Sequence, residues 1–327
     1  RPGRTLYHRA PMRICITGAT GLIGQSLLEH LGGEAGLVIT AVTRTLPVFR
    51  EGKTTPGAAV RWLRGDLASP RDCETMIEDQ DVIVHLAHTN SPFTSDRDMP
   101  SDALLNLVPT LNLLQAIQRA GRRPHVVYPS SGGGVYGSTA AERPFAEDHP
   151  CLPNSSYGIQ KLAVEHYLRL AAERGFLSAT VLRIANAYGW LLAPERQQGF
   201  IGTALYLALN GRPVRIFGNP HNVRDYVHIQ DILRALHSAM GRREPFEIFN
   251  IGTGIGTTVA EIVALIGKAI GQPVTCVTEA HEQARFLPGW CVLDIGKARA
   301  ELAWEPRITL KEGLRRMAGV AGVQPEE

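Results

Sequence analysis

The sequence ITGATGLIGQSLLEHL, residues 16–31, places three glycines, Gly18, Gly21 and Gly24, between two apolar segments of different period. The preceding run, RICIT, predicts a short β-strand, and the apolar residues of GQSLLEHL recur at the spacing of a helix. Glycine allows tight turns and close backbone approaches that a side chain would prevent. A strand, a glycine turn and a helix in this order predict the start of a βαβ unit.

The rest of the chain extends this pattern into an α/β fold. From Met12 onward, short apolar runs such as LVITAVTR and DVIVHLAH alternate with stretches of helical period, which predicts a parallel sheet built from βαβ units. After Asn186 the alternation becomes irregular. We therefore expect a Rossmann-type doubly wound parallel sheet with a smaller α/β carboxyl-terminal lobe.

Composition narrows the class of protein. The chain has 327 residues, 44% of them hydrophobic, and a formal net charge of +3. Its basic residues are scattered, so no nucleic-acid partner is expected. Five cysteines without a C-x-x-C spacing predict reduced thiols and a cytoplasmic location. No apolar run reaches the roughly 18 residues of a membrane helix, and residues 1–11 contain no apolar signal region, so no membrane association is expected.

The glycine turn predicts a dinucleotide-binding site. Small residues let the backbone approach a pyrophosphate, and free N–H groups at the start of the helix bind it. Glycines also form turns that bind nothing, but here the flanking strand and helix supply the context that a dinucleotide site needs. The predicted contacts from this loop are Gly18, Gly21, Leu22, Ile23 and Gly24.

Further strand ends are candidate cofactor contacts. The second strand ends in VTRT, without the carboxylate that commonly binds the ribose hydroxyls of NAD. Arg44 could instead pair with a 2′-phosphate and so favours NADP, although a solvated surface arginine would look the same in the sequence. Asp66 and Leu67 follow another apolar segment, where the carboxylate could accept a hydrogen bond from adenine. Leu86 and small Ala87, in HLAH, end the third strand. No cysteine or carboxylate clusters with its histidines, so no metal is expected.

Tyr157 and Lys161, in YGIQK, are the candidate catalytic pair. They lie four residues apart on a predicted helix, so both project from one face. A free phenol has a pKa near ~10 and is a poor base at neutral pH. A neighbouring ammonium and the positive ring of an oxidised nicotinamide both favour the phenolate. Tyr157 could then remove a proton from a sugar or alcohol hydroxyl while hydride leaves the carbon.

These ordered motifs make the chain similar to the extended short-chain dehydrogenases/reductases of the nucleotide-sugar epimerase/dehydratase family. The similar segments are TGATGLIG, GDL, HLAH, SSGGGVYG, YGIQK, LRIANAYG, VRDYVHI and VLDIGKARAELAWEP. The resemblance implies an NAD(P)-binding domain at 12–186 with a return segment near 224–252, a nucleotide-sugar-binding lobe at 187–223 and 253–327, and an extension at 1–11. It also implies NAD as the cofactor, a nucleotide diphosphate-sugar as the substrate, and a homodimer.

The resemblance implies roles for single residues as well. The matched residues are Tyr157 and Lys161 as the catalytic pair, Asn106 and Ser130 beside the cofactor, and Asn186, Arg224 and Arg285 on the substrate diphosphate. A guanidinium suits the bidentate contact with a phosphate. Where the family follows its second arginine with Pro-Gly-Asp, this chain reads RFLPG after Ala284, so it departs from the pattern at Arg285.

The loop SSGGGVYG bears on the reaction. Family members offer a serine or threonine three residues before the valine, and that position here is Gly132. Ser131 is the nearest hydroxyl and is the candidate third catalytic residue, with a bound water as the alternative. The dehydratases of the family carry an Asp-Glu pair just before V-Y-G. Gly133 and Gly134 stand there in this chain, which disfavours a 4,6-dehydratase.

Three functions remain open on the sequence. The first is a nucleotide-sugar 4-epimerase, in which Tyr157 takes a proton while the C4 hydride moves to bound NAD(P) and later returns to the opposite face. The alternative is an NADPH-dependent 4-ketoreductase for NDP-4-keto-6-deoxysugars, which Arg44 favours. The third is a non-catalytic NAD(P)-binding regulator, and the intact Tyr157–Lys161 pair argues against it.

Overall fold

The computed structural model describes residues 10–47, 58–90, 94–138, 142–196, 199–279 and 288–322. Its strands are β1 (Met12–Thr17), β2 (Leu37–Thr43), β3 (Ala59–Arg64), β4 (Val82–His85), β5 (His125–Ser131), β6 (Ser178–Ile184), β7 (Asn186–Tyr188), β8 (Val214–Phe217), β9 (Val223–His228), β10 (Phe246–Ile251), β11 (Gly256–Thr258), β12 (Cys276–Glu279) and β13 (Trp290–Cys291). Its helices are α1 (Leu22–Leu31), α2 (Pro70–Ile77), α3 (Met99–Ala120), α4 (Gly132–Val135), α5 (Ser156–Glu173), α6 (Phe200–Leu209), α7 (Ile229–Met240), α8 (Val259–Ile270), α9 (Gly296–Glu301) and α10 (Leu310–Val320).

Seven parallel strands form the central sheet, in the order β10-β6-β5-β4-β1-β2-β3. The inner strands are almost wholly buried, as expected for a parallel sheet covered by helices on both faces. One apolar cluster packs α1 and α7 on one face, and a second packs α2, α3 and α5 on the other. The predicted Rossmann-type fold is therefore confirmed.

The strand order reverses between β1 and β4, because the chain builds outward to β3 and then returns to the other side of β1. In open α/β sheets the carboxyl ends of the strands at such a reversal form a crevice that holds ligands. The glycine turn follows β1, and the segment HLAH ends β4. The fold thus brings these two motifs to the same edge of the sheet.

The carboxyl-terminal part adds a smaller α/β layer. Strand β9 pairs with β7, β11 and β13, while β8 and β12 form a separate two-stranded sheet. Helices α6, α8 and α10 pack around a third apolar cluster. Between these elements, β10 returns to the edge of the large sheet. The domain boundaries drawn from the sequence stay a prediction, and most of the 1–11 extension lies outside the described residues.

Helices of the described segments are too short or too polar to cross a membrane.

Candidate active site

The turn after β1 is packed tightly against the end of β4. Gly18 has a φ of +68°, and a Cβ at this position would lie 2.7 Å from the Ala87 nitrogen. A Cβ on Gly24 would lie 2.8 Å from two backbone atoms of Ala19. Such separations are too short for a real Cβ, so both positions require glycine. The Gly21 N–H donates to the Gly18 carbonyl at 3.0 Å and closes the turn.

The glycine turn leaves the first turn of α1 open to a ligand. Helix α1 begins at Leu22 after Gly21, its first turn contains no acidic residue, and none of the described side chains caps it. Unfilled N–H groups at a helix start attract the anionic pyrophosphate of a dinucleotide. The loop from Gly18 to Gly24 therefore fits NAD or NADP, because its glycines leave the backbone uncovered for the pyrophosphate to approach.

The other predicted cofactor residues lie along the same edge of the sheet. Arg44 is exposed directly after β2, and Asp66 is exposed after β3. Leu67 is buried, and the Asp66 carboxylate accepts a hydrogen bond from Ala68 N at 3.0 Å. Past β4, Ala87 N donates to the Thr17 hydroxyl at 3.3 Å, and Leu86 N donates to the Thr17 carbonyl at 3.2 Å.

Tyr157 and Lys161 share one face of α5, next to the end of β5. Lys161 is buried, and its ammonium donates to the Pro129 carbonyl at 3.0 Å. The same nitrogen lies 5.7 Å from the centre of the Tyr157 ring. A Cβ on Gly158 would lie 3.0 Å from the Gly134 carbonyl carbon, so glycine at position 158 lets α5 pack directly on the loop that follows β5. The helix is thereby held where the sheet ends.

The hydroxyl beside Tyr157 comes from Ser131. Its hydroxyl lies close enough to the Tyr157 phenol to lower the pKa of that group, and it also accepts from Gly134 N at 3.1 Å. A Cβ on Gly132 would instead meet the Leu293 side chain at 2.7 Å. Counting back from the valine selected Gly132 as the position of the family hydroxyl, but this position points into the core. The neighbouring residue supplies the hydroxyl.

The remaining two glycines of the loop have different surroundings. A Cβ on Gly134 would lie 3.1 Å from the Ser131 hydroxyl oxygen and 3.2 Å from a Tyr157 ring carbon. A Cβ on Gly133 would meet no atom of the described residues within 4 Å. Gly134 thus makes room for the contact between the serine and the tyrosine, and Gly133 borders open space.

The pKa values of the pair are set mainly by burial. The sequence argument expected the neighbouring ammonium to lower the pKa of Tyr157. Here burial is the largest influence and raises that pKa, while the hydrogen bond with Ser131 opposes it. Burial also lowers the pKa of Lys161 to about 8, against the opposing effect of Glu165. Positive charge brought by a ligand is therefore needed before Tyr157 can act as a base at neutral pH.

His88 adds an imidazole to this site that the sequence argument did not use. Its ring packs edge-on against the Tyr157 ring, with 5.1 Å between the centres. Burial and then the nearby Lys161 lower the pKa of His88 well below its usual value, so the ring is neutral at physiological pH. Among the described residues, no group of three or more His, Cys, Asp or Glu side chains is placed to bind a metal ion.

Ser130 serves the core through its side chain. Its hydroxyl donates to Glu165 at 2.5 Å, and Glu165 forms a buried ion pair with Arg183 at 2.7 Å. Arg183 also donates to the Tyr136 hydroxyl at 3.0 Å. Any contact of Ser130 with a cofactor therefore falls to its backbone. Glu165 lies four residues after Lys161, on the same face of α5. From this spacing the sequence could have predicted that Glu165 affects the pKa of the lysine.

Asn106 lies on α3 and holds the segment that follows β4. Its side-chain oxygen accepts from Thr89 N at 2.8 Å and from the Thr89 hydroxyl at 3.0 Å. Its amide nitrogen donates to Asp102, one turn earlier, at 2.8 Å. The sequence argument missed Asp102, although its spacing of four residues from Asn106 places both on one face.

The predicted diphosphate residues lie on two paired strands of the smaller layer. Asn186 of β7 donates to the Asp225 carbonyl at 3.0 Å. Arg224 of β9 is partly buried and donates to the Val223 carbonyl at 2.8 Å. Within the described segments it has no carboxylate at ion-pair distance, and burial lowers its pKa. A half-buried guanidinium without a carboxylate suits an anionic ligand. Arg285 lies outside the described residues.

Three comparisons place this geometry among known proteins. Residues 14–252 match the model of the NAD dependent epimerase/dehydratase family. Over 308 residues, 33% are identical to the UDP-glucose 4-epimerase of Mycolicibacterium smegmatis, covering 93% of this chain and 96% of the relative. Over 316 residues, 31% are identical to the dTDP-4-dehydro-6-deoxyglucose reductase of Escherichia coli, covering 93% and 96%. The crystal structure of Thermotoga maritima UDP-glucose 4-epimerase with UDP-glucose superposes with a TM-score of 0.85 at 30% identity, covering 95% and 99%.

Proposed function

Because the chain belongs to the NAD-dependent epimerase/dehydratase family and is thus an NAD(P)-dependent enzyme of nucleotide-sugar chemistry, we propose that it is a nucleotide-sugar 4-epimerase. The observation that carries this proposal is the Tyr157 side chain set beside the Ser131 hydroxyl, on a loop without any carboxylate. Gly133 and Gly134 occupy the two positions where elimination of water would need an acid and a base. This loop supports hydride chemistry at one carbon.

In the proposed reaction, Tyr157 and Ser131 both address the oxygen on C4 of the sugar. Tyr157 takes the hydroxyl proton, and Ser131 holds the same oxygen by a hydrogen bond. The Lys161 ammonium lies 5.7 Å from the centre of the Tyr157 ring, and bound NAD⁺ would add the positive charge that the ionised phenol needs. NAD(P), held at the glycine turn between Gly18 and Gly24, would supply a nicotinamide ring that can accept the C4 hydride and give it back.

Inversion at C4 requires the keto sugar to present its other face before hydride returns. The open space at Gly133, two residues after Ser131, supports this step, because a side chain there would occupy part of that space. On the substrate side, Arg224 and Asn186 are proposed to bind the diphosphate, which leaves the sugar free to turn. The proposed substrate is therefore a nucleotide diphosphate-hexose with a hydroxyl at C4.

The second candidate is a 4-ketoreductase that consumes NADPH. Arg44 favours it, because this exposed arginine directly follows β2, and Val42 to Thr45 include no carboxylate that would repel a 2′-phosphate. The similarity to a dTDP-4-dehydro-6-deoxyglucose reductase supports the same reading. A non-catalytic NAD(P)-binding regulator would have no need for the contact between Ser131 and Tyr157.

One assay separates these functions. Purified protein is incubated with UDP-glucose, UDP-GlcNAc and their 4-epimers without added cofactor, and separately with a dTDP-4-keto-6-deoxysugar plus NADPH or NADH. Interconversion without cofactor supports the epimerase, and turnover only of the keto sugar supports the reductase. Tyr157→Phe is expected to abolish turnover, whereas Tyr167→Phe, an exposed tyrosine on the same helix, should keep it. Activity that survives in Tyr157→Phe would contradict the mechanism.

We also propose a homodimer and a cytoplasmic location. Large apolar side chains on α3 and α5 are exposed, including Leu104, Leu105 and Ile159, which supports a second copy packed on these helices. The five cysteines are free thiols, which supports a reducing compartment.

A further inference from the structure

Asp102 is a buried carboxylate that joins three parts of the site. It lies on α3 with 1% of its surface exposed. One carboxylate oxygen accepts from Asn90 at 2.6 Å and from Asn106 at 2.8 Å. The other accepts from the Ser156 hydroxyl at 2.8 Å and from the Gln160 amide. We call these five residues the Asp102 cluster.

No cation of the described residues pairs with this carboxylate, and its four donors are all neutral side chains. A buried charge is costly unless hydrogen bonds replace its hydration. An apolar residue at position 102 would avoid that cost, and the apolar period of α3 would accept one. The carboxylate therefore serves something other than simple packing of two helices.

The cluster reaches the catalytic helix next to both members of the catalytic pair. Ser156 directly precedes Tyr157, and Gln160 directly precedes Lys161. A second acid, Asp96, accepts from the backbone nitrogen of Ser156 at 2.6 Å. The first turn of α5 is thus held through its side chains by Asp102 and through its backbone by Asp96.

On its other side, the cluster reaches the segment after β4. Asn90 contacts Asp102 directly, and Asn106 connects Asp102 to Thr89. Ala87 in the same segment packs on Gly18 of the glycine turn. One carboxylate therefore connects the predicted cofactor surface with the first turn of α5.

We propose that Asp102 is a positioning residue, which fixes the first turn of α5 so that the Tyr157 phenol stays within hydrogen-bond reach of Ser131. The inference rests on the proposed role of Tyr157. Asp102 itself is proposed to contact neither substrate nor cofactor, because both of its carboxylate oxygens already accept hydrogen bonds within the Asp102 cluster. Small displacements of a catalytic group lower turnover more than they lower substrate binding.

The test compares Asp102→Ala with a matched buried aspartate. Asp231, on α7, is fully buried, pairs with Arg234 at 2.6 Å and accepts from Arg307 N and Ile308 N at 3.1 Å each. It is far from Tyr157 in the sequence, and its helix packs in the other apolar cluster of the sheet. Both alanine variants are expected to unfold at lower temperature. Only Asp102→Ala should lower kcat, by about ten- to a hundredfold, with the KM for the nucleotide sugar nearly unchanged.

The pH profile supplies a readout that lost stability alone would not move. The hydrogen bond from Ser131 lowers the pKa of Tyr157, so its loosening should shift the tyrosine limb of the kcat profile to higher pH in Asp102→Ala. Asp102→Asn keeps the shape, and a reoriented Gln160 amide can accept from it, so this variant should recover most of kcat. If Asp102→Ala does not fold, Ser156→Ala, which removes the bond to Asp102 and the bond from Gln160 but keeps the carboxylate, should show a smaller fall in kcat with the same shift.

The outcomes separate this inference from the proposed function. If the wild-type protein turns over no nucleotide sugar, the proposed function is wrong. The cluster is then judged by NAD⁺ binding in calorimetry, where Asp102→Ala should bind several-fold more weakly and Asp231→Ala should not. Asp102 and Ser156 variants that match wild type in kcat, in the pH limb and in NAD⁺ affinity overturn the positioning role. Equal losses in Asp231→Ala overturn it as well, because the effect would then be general destabilisation.

Discussion

At the scale of single residues, the neighbours of Tyr157 determine whether its phenol can act as the proposed base. Burial raises its pKa, and among the described residues the Ser131 hydroxyl lowers it. Ser131 performs this task while it also accepts the Gly134 N–H at the start of α4. The hydroxyl therefore has a local structural bond and a contact with the reacting group, and the two can be separated by experiment.

Ser131→Ala is expected to lower kcat by about a hundredfold, the usual cost of removing one donor to a reacting oxygen. The tyrosine limb of the pH profile should also move upward. Ser69→Ala is the matched control, because Ser69 caps α2 through the same kind of bond to a backbone nitrogen. That variant should lose about 1 kcal/mol of stability and no turnover. Steady-state kinetics showing equal kcat in Ser131→Ala and wild type would leave the hydroxyl a structural role only.

Lys161 gives a prediction on stability. Burial lowers its pKa from 10.5 to about 8, so between these values the unfolded chain binds more protons than the folded chain, and stability rises with pH. The buried Lys161 ammonium thus lowers the free energy of unfolding by its full amount at pH 7, and by less and less above pH 8. Relative to Lys161→Met, the free energy of unfolding of the wild type should rise by about 2 kcal/mol between pH 7 and 9.5.

Urea unfolding of both proteins across that pH range, without added cofactor, measures this difference. Groups common to the two chains cancel in the comparison. Lys268→Met, which changes an exposed lysine of α8, should show no such slope. A flat difference for Lys161→Met would mean that the ammonium is better solvated than its burial indicates.

At the scale of elements, the glycine turn determines how β1, α1 and β4 meet. Gly24→Ala is expected to push α1 away from Ala19, because the new Cβ would lie 2.8 Å from backbone atoms. The variant should lose stability and bind NAD⁺ at least about tenfold more weakly, by analogy with other overpacked sites that cost about 1–3 kcal/mol. Thermal unfolding and calorimetric titration measure the two effects.

Gly33→Ala is the matched control for that experiment. It lies just beyond the end of α1, and a Cβ there would meet no described atom within 4 Å. Its stability and NAD⁺ affinity should stay close to wild type. Equal affinity in the two alanine variants would show that the turn does not shape the cofactor site.

The elements were predictable from sequence where apolar period decides them. The apolar period of residues 103–119 predicts a helix, and the helix observed there spans Met99–Ala120. Its additional first turn is set by polar signals, the Asp98 cap and Pro100, which carry no apolar period. The loop after β5 contains the short helix α4, capped by Ser131. Three consecutive glycines favour no helix by propensity, so only the packing of α5 on this loop explains it.

At the scale of the whole molecule, the site depends on contacts between distant segments. Gly18 and Ala87 meet because β1 and β4 are neighbours in the sheet, whereas the sequence predicted them only as separate cofactor contacts. The contact between Ser131 and Tyr157 and the cluster around Asp102 depend on the side-chain directions of β5 and on the packing of α3 against α5. Residue spacing along one element does not encode that geometry. Counting back from the valine therefore placed the family hydroxyl at Gly132, and the sequence argument missed Asp102.

The outer faces of α3 and α5 lead to the last prediction. Leu104 is 63% exposed, Leu105 51% and Ile159 55%, and the two helices pack side by side. A second copy would bury this apolar surface, and a carboxylate introduced into it would have to lose its hydration without a partner. Leu104→Glu combined with Leu105→Glu should therefore convert a dimer into a monomer in light scattering at micromolar concentration. Val320→Glu, which changes a side chain 92% exposed on α10, should leave the mass unchanged. A wild-type monomer, or a dimer that survives both α3 substitutions, would place the contact elsewhere.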